Sequence, residues 1–148
     1  MMQETTGSPK VSVIIPSYNT AQYIVETLDS VCVQTFMDYE VIVINDGSPD
    51  TAQLERALQP YRDAITYLKK PNGGLSSARN FGIRAARGQY VALLDSDDLW
   101  EPNYLETQVA ALDADPAIAV SYANATIFGD SADAKLRALV AARSLLAA

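Results

Sequence analysis

The segment Val91-Ala92-Leu93-Leu94-Asp95-Ser96-Asp97-Asp98 joins a short apolar run to a cluster of carboxylates. A continuous apolar run of this length predicts a strand that is buried on both faces. Asp95 and Asp97 are two residues apart, so in an extended segment both side chains would point to the same side. Mg²⁺ and Mn²⁺ prefer oxygen ligands, and one or two carboxylates leave coordination positions open for water and substrate phosphates. The segment therefore predicts a buried strand that ends at a divalent-cation site used in phosphate chemistry.

Similar apolar runs recur along the chain and alternate with segments of helical periodicity. The predicted strands cover residues 11–15, 41–44, 65–68, 90–94 and 118–122, and the predicted helices cover 21–33, 51–58, 76–86 and 103–114. This alternation predicts an α/β fold, with a mainly parallel sheet and helices on both of its faces. In open sheets of this kind the ligand lies beyond the carboxyl ends of the strands, so the strand-end loops are expected to hold the functional residues.

The composition limits the domain organisation and the class of ligand. The 148 residues suit one domain, with 1–9 as a flexible N-terminus, 10–130 as the folded domain and 131–148 as a C-terminal helix. A net charge of −7 and 11 scattered basic residues argue against a nucleic-acid partner. No apolar run approaches the roughly 20 residues of a transmembrane helix, and the N-terminus lacks the features of a secretory signal. A cytoplasmic location is therefore expected.

Cys32 is the single cysteine, and the chain contains no histidine. We therefore predict that Cys32 is a small buried residue within a helix rather than a catalytic thiol, and that no disulfide forms within the chain.

The loops after the first two predicted strands each have a functional and a structural interpretation. Tyr18 offers an aromatic face on which a base or sugar could stack, or it could simply pack in a strand-to-helix turn. Asp46 could accept a hydrogen bond from an N–H of a base such as uracil, or it could only hold the turn. The helices that follow are expected to be capped by Asn19 or Thr20, and by Asp50.

The third loop contains a glycine pair, Gly73 and Gly74, directly before a predicted helix. Glycines permit close backbone approach and a helix N-terminus favours anions, so Arg79 on the first turn could reach a phosphate or a base carbonyl. The structural alternative is an ordinary turn with Ser76 as a helix cap and Arg79 ion-paired to a carboxylate. Trp100, just past the acidic cluster, could line a sugar or acceptor site or pack beneath its loop.

Taken in order, the four loop sequences resemble family 2 of the nucleotide-sugar glycosyltransferases, whose members have the GT-A fold. The resemblance runs from about Lys10 to Asp130, and is carried by Pro16-Ser17-Tyr18-Asn19, Asn45-Asp46-Gly47-Ser48, Asn72-Gly73-Gly74-Leu75-Ser76-Ser77-Ala78-Arg79-Asn80 and Asp95-Ser96-Asp97-Asp98. Four ordered motifs at consistent strand ends are far more specific than a single acidic triplet. The resemblance implies that residues 10–130 are a nucleotide-sugar-binding domain.

The resemblance also implies a role for each matching residue. Asp46 corresponds to the family's uracil-binding aspartate, with Tyr18 beside the base and Pro16 contributing through its backbone. Arg79 corresponds to a basic contact near the nucleotide. In the Asp-X-Asp motif, Asp95 would lie near the ribose or the metal-bound waters and Asp97 would bind Mn²⁺ or Mg²⁺. The resemblance also places Ser96, which lies between them, among the nucleotide-sugar-binding residues.

The expected activity is metal-dependent, inverting transfer of a sugar from a nucleotide-sugar donor, with a UDP-sugar favoured, to an unknown glycan, lipid or protein acceptor. Polysaccharide biosynthesis is the family-level context. The resemblance implies a general base well beyond the fifth strand, in a segment that we do not expect within these residues, so the catalytic base is left unassigned. We expect this polypeptide to bind donor with inefficient transfer, as an incomplete GT-A domain.

Several alternatives stay open at this point. A noncatalytic nucleotide-binding or self-association module is the strongest, with a homo-oligomer as its expected form. A phosphoacceptor receiver domain would place paired acids after its first strand, and a nucleotidyltransferase would place a basic glycine-rich loop there; this chain has neither. Peripheral attachment at the inner membrane face is an open alternative to a purely cytoplasmic location.

Overall fold

The computed structural model describes residues 7–126, which contain a four-stranded parallel sheet. The strands are β1 (Val11–Ser17), β2 (Tyr39–Asp46), β3 (Thr66–Lys70) and β4 (Tyr90–Leu93), in the order β3-β2-β1-β4, and all three pairings are parallel. The helices are α1 (Ile24–Cys32), α2 (Thr51–Ala57), α3 (Leu75–Ala85) and α4 (Tyr104–Ala114), with a short 3₁₀ helix at Gln59–Tyr61. The predicted α/β class with a mainly parallel sheet is confirmed.

The chain divides after Glu106, within α4, into two compact units, and the sheet belongs to the first. All seven residues of the central strand β1 are buried. Because successive side chains of a strand point to opposite faces, full burial means that both faces of β1 are covered. This explains why its sequence is a nearly continuous apolar run.

Helix α3 packs directly on the sheet through small residues. Ala78 lies in one core cluster with Ile14, Ile42 and Ile44. A Cβ atom on Gly82 would lie 2.5 Å from Cγ2 of Ile14 and 2.6 Å from Cδ1 of Ile44. Only glycine fits there without displacing the core, so α3 is held close above β1 and β2, and its N-terminal end lies near their carboxyl ends.

The amino ends of the strands are joined by a polar cluster around Glu40. Its carboxylate accepts hydrogen bonds from Ser12 Oγ at 2.6 Å and from Arg87 Nε at 2.9 Å. Arg87 Nη2 approaches the same carboxylate at 2.7 Å. Burial alone would raise the pKa of Glu40, but the hydrogen bonds from Ser12 and Arg87 and the Arg87 charge outweigh it, so the pKa is lowered.

Several element boundaries differ from the sequence prediction, and two of the differences have a clear physical reason. Helix α1 begins at Ile24 rather than at residue 21, because Asn19 has a left-handed backbone (φ 57°) and residues 21–23 form a turn. Strand β3 continues beyond its apolar run through Lys69 and Lys70, each of which is ion-paired to a carboxylate.

The prediction of a fifth strand at residues 118–122 was wrong. The described residues from 118 to 126 form neither helix nor strand. They follow a turn in which Asp115 accepts hydrogen bonds from the backbone N–H of Ala117, at 2.9 Å through Oδ1, and of Ile118, at 3.0 Å through its carbonyl. A strand requires a neighbouring strand with which to exchange hydrogen bonds, and an apolar pattern carries no information about that neighbour.

The prediction that Cys32 is buried was also wrong, because it is exposed. The buried positions of α1 are Ile24, Thr27, Leu28 and Val31, and Cys32 lies one residue past this stripe at the end of the helix. Partial burial and the nearby Asp29 carboxylate raise the pKa of its thiol, which disfavours the reactive thiolate.

Some predictions lie wholly or mostly outside the described residues. The predicted helix at 131–148, the end of the predicted domain 10–130 and most of the predicted flexible segment 1–9 are among them. Of that last segment, Pro9 is described and buried, and its carbonyl accepts a hydrogen bond from Gln89 N at 3.3 Å. Within residues 7–126, none of the helices has the length and apolar character needed to span a bilayer.

Candidate functional site

One open cleft of about 510 Å³ lies at the carboxyl ends of the strands. It is bordered by the segments that follow all four strands and by the start of α3; the lining residues are Pro16, Ser17, Tyr18, Thr20, Asp46, Asn72, Gly74, Leu75, Ala78, Asp95, Ser96 and Asp97. The strand order reverses between β1 and β4, which is where open α/β sheets bind ligands. Six of the predicted site residues therefore meet in one place, and the seventh, Arg79, contacts Asp95.

The loop after β1 presents Tyr18 to this cleft, with 52% of the residue exposed. Hydrogen bonds to the loop after β2, rather than to α1, hold this loop in place. Asn19 N donates to Ser48 Oγ at 2.7 Å, and Ala21 N donates to Asp50 Oδ2 at 2.8 Å. The expected cap of α1 was wrong, because its N-cap residue is Tyr23 rather than Asn19 or Thr20. Asp50 does occupy the N-cap position of α2, as predicted, but its side chain forms no cap hydrogen bond. Asp50 instead joins the β1 and β2 loops.

Asp46 is almost completely buried, with 3% of its side chain exposed, yet it borders the cleft. Oδ1 accepts from Lys70 Nζ at 2.5 Å and from Gly73 N at 3.1 Å, while Oδ2 accepts from Gly74 N at 2.8 Å. The side chain of Asp46 therefore holds the loop after β3, and not its own turn as the structural interpretation expected. Its position at the cleft leaves the ligand-binding interpretation open as well.

Two glycines adopt positive φ in these loops, Gly47 at 63° and Gly74 at 85°. A Cβ atom on Gly47 would lie 2.5 Å from the backbone nitrogen of Asn72. The side chain of Asn72 in turn donates to the carbonyl of Asp46 at 3.0 Å. The loops after β2 and β3 therefore approach each other closely through their backbone atoms. Helix α3 begins after Gly74, so the expected cap at Ser76 was wrong.

The acidic segment after β4 is a turn rather than an extended strand. The prediction that the strand before it is buried on both faces was wrong, because β4 pairs only with β1 in the described sheet and its Val91 and Leu93 are exposed. Strand β4 ends at Leu93, and Asp98 N donates to the carbonyl of Asp95 at 3.1 Å. Asp95 and Asp97 do border the same cleft, but the turn brings them there, so the argument from strand alternation was wrong.

The electrostatics of the acidic turn favour a cation. Burial, followed by the charges of Asp97 and Asp95, raises the pKa of Asp98. Arg79 Nη2 contacts Asp95 Oδ1 at 2.6 Å, which is the ion pair that the structural alternative predicted. The carboxylate of Asp97 is exposed and forms no hydrogen bond or ion pair with any residue in the range 7–126.

The same part of the chain contains no group of three or more carboxylate, thiol or imidazole side chains placed to enclose a metal ion. The acidic turn could therefore supply only part of a coordination sphere. Mg²⁺ is usually held in this way, by one or two carboxylates together with substrate phosphates and water.

A row of three hydroxyl groups joins the β1 and β4 sides of the cleft. Ser17 Oγ lies 2.9 Å from Thr20 Oγ1, which lies 2.7 Å from Ser96 Oγ. Trp100 does not border the cleft: its ring stacks on Tyr104, with centroids 4.5 Å apart and planes at 18°. The packed interpretation of Trp100 is the one that the structure supports.

Sequence reasoning assigned no role in the site to Lys70, Thr20 or Asn72. The position of Lys70 could have been predicted, because residues at the ends of two neighbouring parallel strands lie side by side. The register of β2 and β3 does pair Asp46 with Lys70. No comparable signal identified Thr20 or Asn72, whose roles depend on how loops from different strands fold onto each other.

This arrangement, a parallel sheet with a polar cleft and an acidic turn at its carboxyl ends, is an α/β fold of the GT-A type. The chain belongs to glycosyl transferase family 2, because the sequence model of that family matches residues 12–144. The resemblance found in the sequence is thereby confirmed. A glycosyltransferase of Rickettsia typhi that is described as uncharacterized is 46% identical over 111 residues, which cover 75% of this chain and 34% of that protein.

Solved structures show the same relationship. S. aureus TarS 1–349 in complex with UDP-GlcNAc has a TM-score of 0.62 and 33% identity, covering 71% of this chain and 31% of that one. The mannosyltransferase PcManGT from Pyrobaculum calidifontis in complex with GDP-Man and Mn²⁺ has a TM-score of 0.66 and 32% identity, covering 76% and 34%. The chain spans about a third of the length of these relatives.

Proposed function

We propose that residues 10–130 form the nucleotide-sugar-binding part of a metal-dependent glycosyltransferase, with a UDP-sugar as the favoured donor. The observation that carries the proposal is that one cleft at the switch point of the sheet brings together an exposed aromatic ring, a buried carboxylate and an acidic turn. These are the three kinds of group that a base, a ribose and a diphosphate with its cation require. The TarS complex with UDP-GlcNAc and the PcManGT complex with GDP-Man and Mn²⁺ support this assignment.

At the β1–β2 side of the cleft, the base would lie against Tyr18, with the Pro16 backbone and the Asp46 carboxylate at its edge. Tyr18 is exposed enough to stack, and Asp46 is an acceptor for a base N–H. A uracil N3–H satisfies that acceptor, which is why a uridine nucleotide is favoured.

At the β4 side, Asp97 would bind Mn²⁺ or Mg²⁺, with Asp95 and Ser96 near the ribose or the metal-bound waters. The residues fit such an ion, because three carboxylates lie within one short turn and Asp97 has no competing partner among the described residues. When bound, the cation would neutralise charge on the diphosphate leaving group. Arg79, on the first turns of α3, adds a fixed positive charge beside Asp95.

Transfer would proceed by direct displacement with inversion at the anomeric carbon. Such a step needs a general base that removes the proton from the acceptor hydroxyl, and we assign none within residues 7–126. The acceptor, whether glycan, lipid or protein, the cytoplasmic location and the place in polysaccharide biosynthesis remain predictions.

Calorimetric titration with UDP, in the presence and absence of Mn²⁺, tests the donor site. We expect Mn²⁺ to strengthen UDP binding, and Asp97→Asn to weaken the Mn²⁺-dependent binding by about tenfold or more, since loss of even an indirect metal contact costs about 10–100-fold. Asp63→Asn is the matched control, because it removes the same charge from an exposed residue that does not border the cleft. A folded sample that binds no UDP with Mn²⁺ would contradict the proposal.

Binding without transfer would favour the alternative of a noncatalytic nucleotide-binding module. Release of UDP from a UDP-sugar in the presence of candidate acceptors, followed for the wild type and for Asp97→Asn, separates the two. Acceptor-dependent release that is lost in the variant supports a transferase, whereas binding with no release under any condition supports the noncatalytic module.

A further inference from the structure

We propose that Lys70 is a positioning residue that sets the nucleobase preference of the cleft by fixing Asp46 as a hydrogen-bond acceptor. This inference rests on the proposed nucleotide-binding function. It assigns to Lys70 no contact with the nucleotide itself. Its effect passes through the carboxylate, which borders the cleft while the ammonium group does not.

The first support is the way in which the sheet places the two residues side by side. Lys70 and Asp46 are register partners at the carboxyl ends of the parallel strands β3 and β2. The ammonium nitrogen lies 2.5 Å from Asp46 Oδ1 and 2.7 Å from the carbonyl oxygen of Pro71. Only 13% of the Lys70 side chain and 3% of the Asp46 side chain are exposed. Water therefore competes little for either group, and the pair holds a defined geometry.

The second support is a count of the hydrogen bonds at the carboxylate. A carboxylate offers about four acceptor positions. Three N–H groups approach Asp46: the Lys70 ammonium, the backbone amide of Gly73, which is shared between both oxygens at 3.1 and 3.3 Å, and the backbone amide of Gly74 at 2.8 Å. About one acceptor position is left for a ligand in the cleft. Because every neighbour is a donor, Asp46 is arranged to accept rather than to donate.

The third support is the space that the loop leaves for the ammonium group. A Cβ atom on Gly73 would lie 2.8 Å from Lys70 Nζ and 2.7 Å from Ser77 Oγ. Any larger residue at position 73 would therefore displace the Lys70 ammonium group from its present position. The glycine and the lysine act together on the same carboxylate.

A fixed acceptor distinguishes bases by what they present at one position. Uracil carries a hydrogen-bond donor at N3, whereas cytosine carries a lone pair at the same atom. A site whose buried polar group is left unpaired by the wrong ligand discriminates strongly against it. An oriented Asp46 therefore favours uridine over cytidine nucleotides, and loss of the Lys70 contact should weaken that preference specifically.

The neighbouring lysine provides a matched control within the same strand. Lys69 points away from Asp46, pairs with Glu55 and has 58% of its side chain exposed. Lys69→Met and Lys70→Met remove the same charge and keep a similar aliphatic stem. Only the second removes the contact to Asp46.

The experiment measures the affinities of the full chain for UDP and for CDP by calorimetry with Mn²⁺, in the wild type and both variants. We expect the wild type to prefer UDP by about tenfold or more, and Lys70→Met to reduce the UDP/CDP ratio by about tenfold, mainly through weaker UDP binding. Lys69→Met should keep the wild-type ratio. Lys70→Arg, which retains a cationic donor, should keep most of it.

Equal weakening of UDP and CDP in Lys70→Met would overturn the inference, because it would mean that Lys70 acts on the diphosphate or on the fold alone. An unchanged ratio would overturn it too. If circular dichroism shows that Lys70→Met does not fold, the UDP/CDP affinity ratio is measured in Lys70→Gln instead, with the same two outcomes expected. A wild type that binds neither nucleotide refutes the proposed function instead, whereas one that binds both equally well refutes only the base preference.

Discussion

Gly47 shows how a single residue can decide whether two loops of the site meet. Its φ of 63° is strained for residues with a side chain, and a Cβ atom would lie 2.5 Å from the backbone nitrogen of Asn72. The obstacle is backbone rather than the end of a flexible side chain, so relief requires the β3 loop to move away from the β2 loop. That movement would separate Asp46 from the amides of Gly73 and Gly74.

We therefore expect Gly47→Ala to lower the free energy of unfolding by about 2–4 kcal/mol, combining backbone strain with the steric conflict. Urea denaturation followed by circular dichroism measures this. Gly7→Ala is the control, because no atom lies within 4 Å of a Cβ atom there, and its effect should stay within about 0.5 kcal/mol. Equal effects of the two substitutions would show that the close approach to Asn72 has no energetic importance.

At the same scale, the sequence could identify the residues that chemistry requires but not all of their neighbours. Asp46, Asp95 and Asp97 follow apolar strands, and the carboxyl ends of parallel strands converge, so their common location was predictable. The contact from Asp50 to Ala21 was not predictable. It depends on the relative height of two loops, which is determined by tertiary packing rather than by local spacing.

At the scale of elements, Glu40 and Arg87 tie the segment after α3 to the beginning of β2. Arg87 contributes its backbone N–H at 2.8 Å as well as its guanidinium group. Gly88 N also donates to Ser12 Oγ at 2.8 Å. The turn that leads into β4 is therefore held by hydrogen bonds that converge on one carboxylate and its neighbouring hydroxyl.

This cluster predicts a particular dependence of stability on pH. The pKa of Glu40 is lowered from 4.5 in the folded state, so its contribution is present above that value and is lost as the pH falls through the lowered pKa. We expect Glu40→Gln to reduce the free energy of unfolding by about 1–3 kcal/mol near neutral pH. The difference from the wild type should shrink progressively in acid, as the pH falls from 4.5 through the lowered pKa. Urea titrations across this range measure it, and a difference that is independent of pH would disprove the assignment to Glu40.

The elements themselves could be predicted to different degrees. The runs that became β1 and β2 were recognisable because buried parallel strands are continuously apolar. The run that became β4 was recognised as a strand, but its predicted burial on both faces was wrong, because β4 lies at the edge of the described sheet. The end of β3 was not recognised, because Lys69 and Lys70 lie outside the apolar run; in the structure each is ion-paired to a carboxylate. Residues 118–122 have an equally apolar sequence but no ladder. An apolar run indicates that a segment prefers burial, but it does not indicate whether a neighbouring strand is available for pairing.

At the scale of the whole molecule, the cleft draws its residues from the segments after every strand of the described sheet. A ligand that contacts all of these segments binds only when the sheet is formed. Ligand binding should therefore stabilise the fold as one unit rather than a single loop.

We expect UDP together with Mn²⁺ to raise the free energy of unfolding by about 2.7 kcal/mol when UDP is present at about 100 times its dissociation constant. Differential scanning calorimetry with UDP alone, Mn²⁺ alone and both together measures the effect. The combination should exceed the sum of the two separate effects, because the cation and the diphosphate would share one site. Purely additive shifts would indicate separate sites.

The hydroxyl row formed by Ser17, Thr20 and Ser96 has a consequence for how the cleft tolerates different occupants. Each hydroxyl both donates and accepts, and either atom of each pair could be the donor. The whole row can thus reverse its polarity by rotating protons while every heavy atom stays in place. The same two hydrogen bonds can therefore connect the β1 and β4 sides of the cleft whether water or a charged group occupies it.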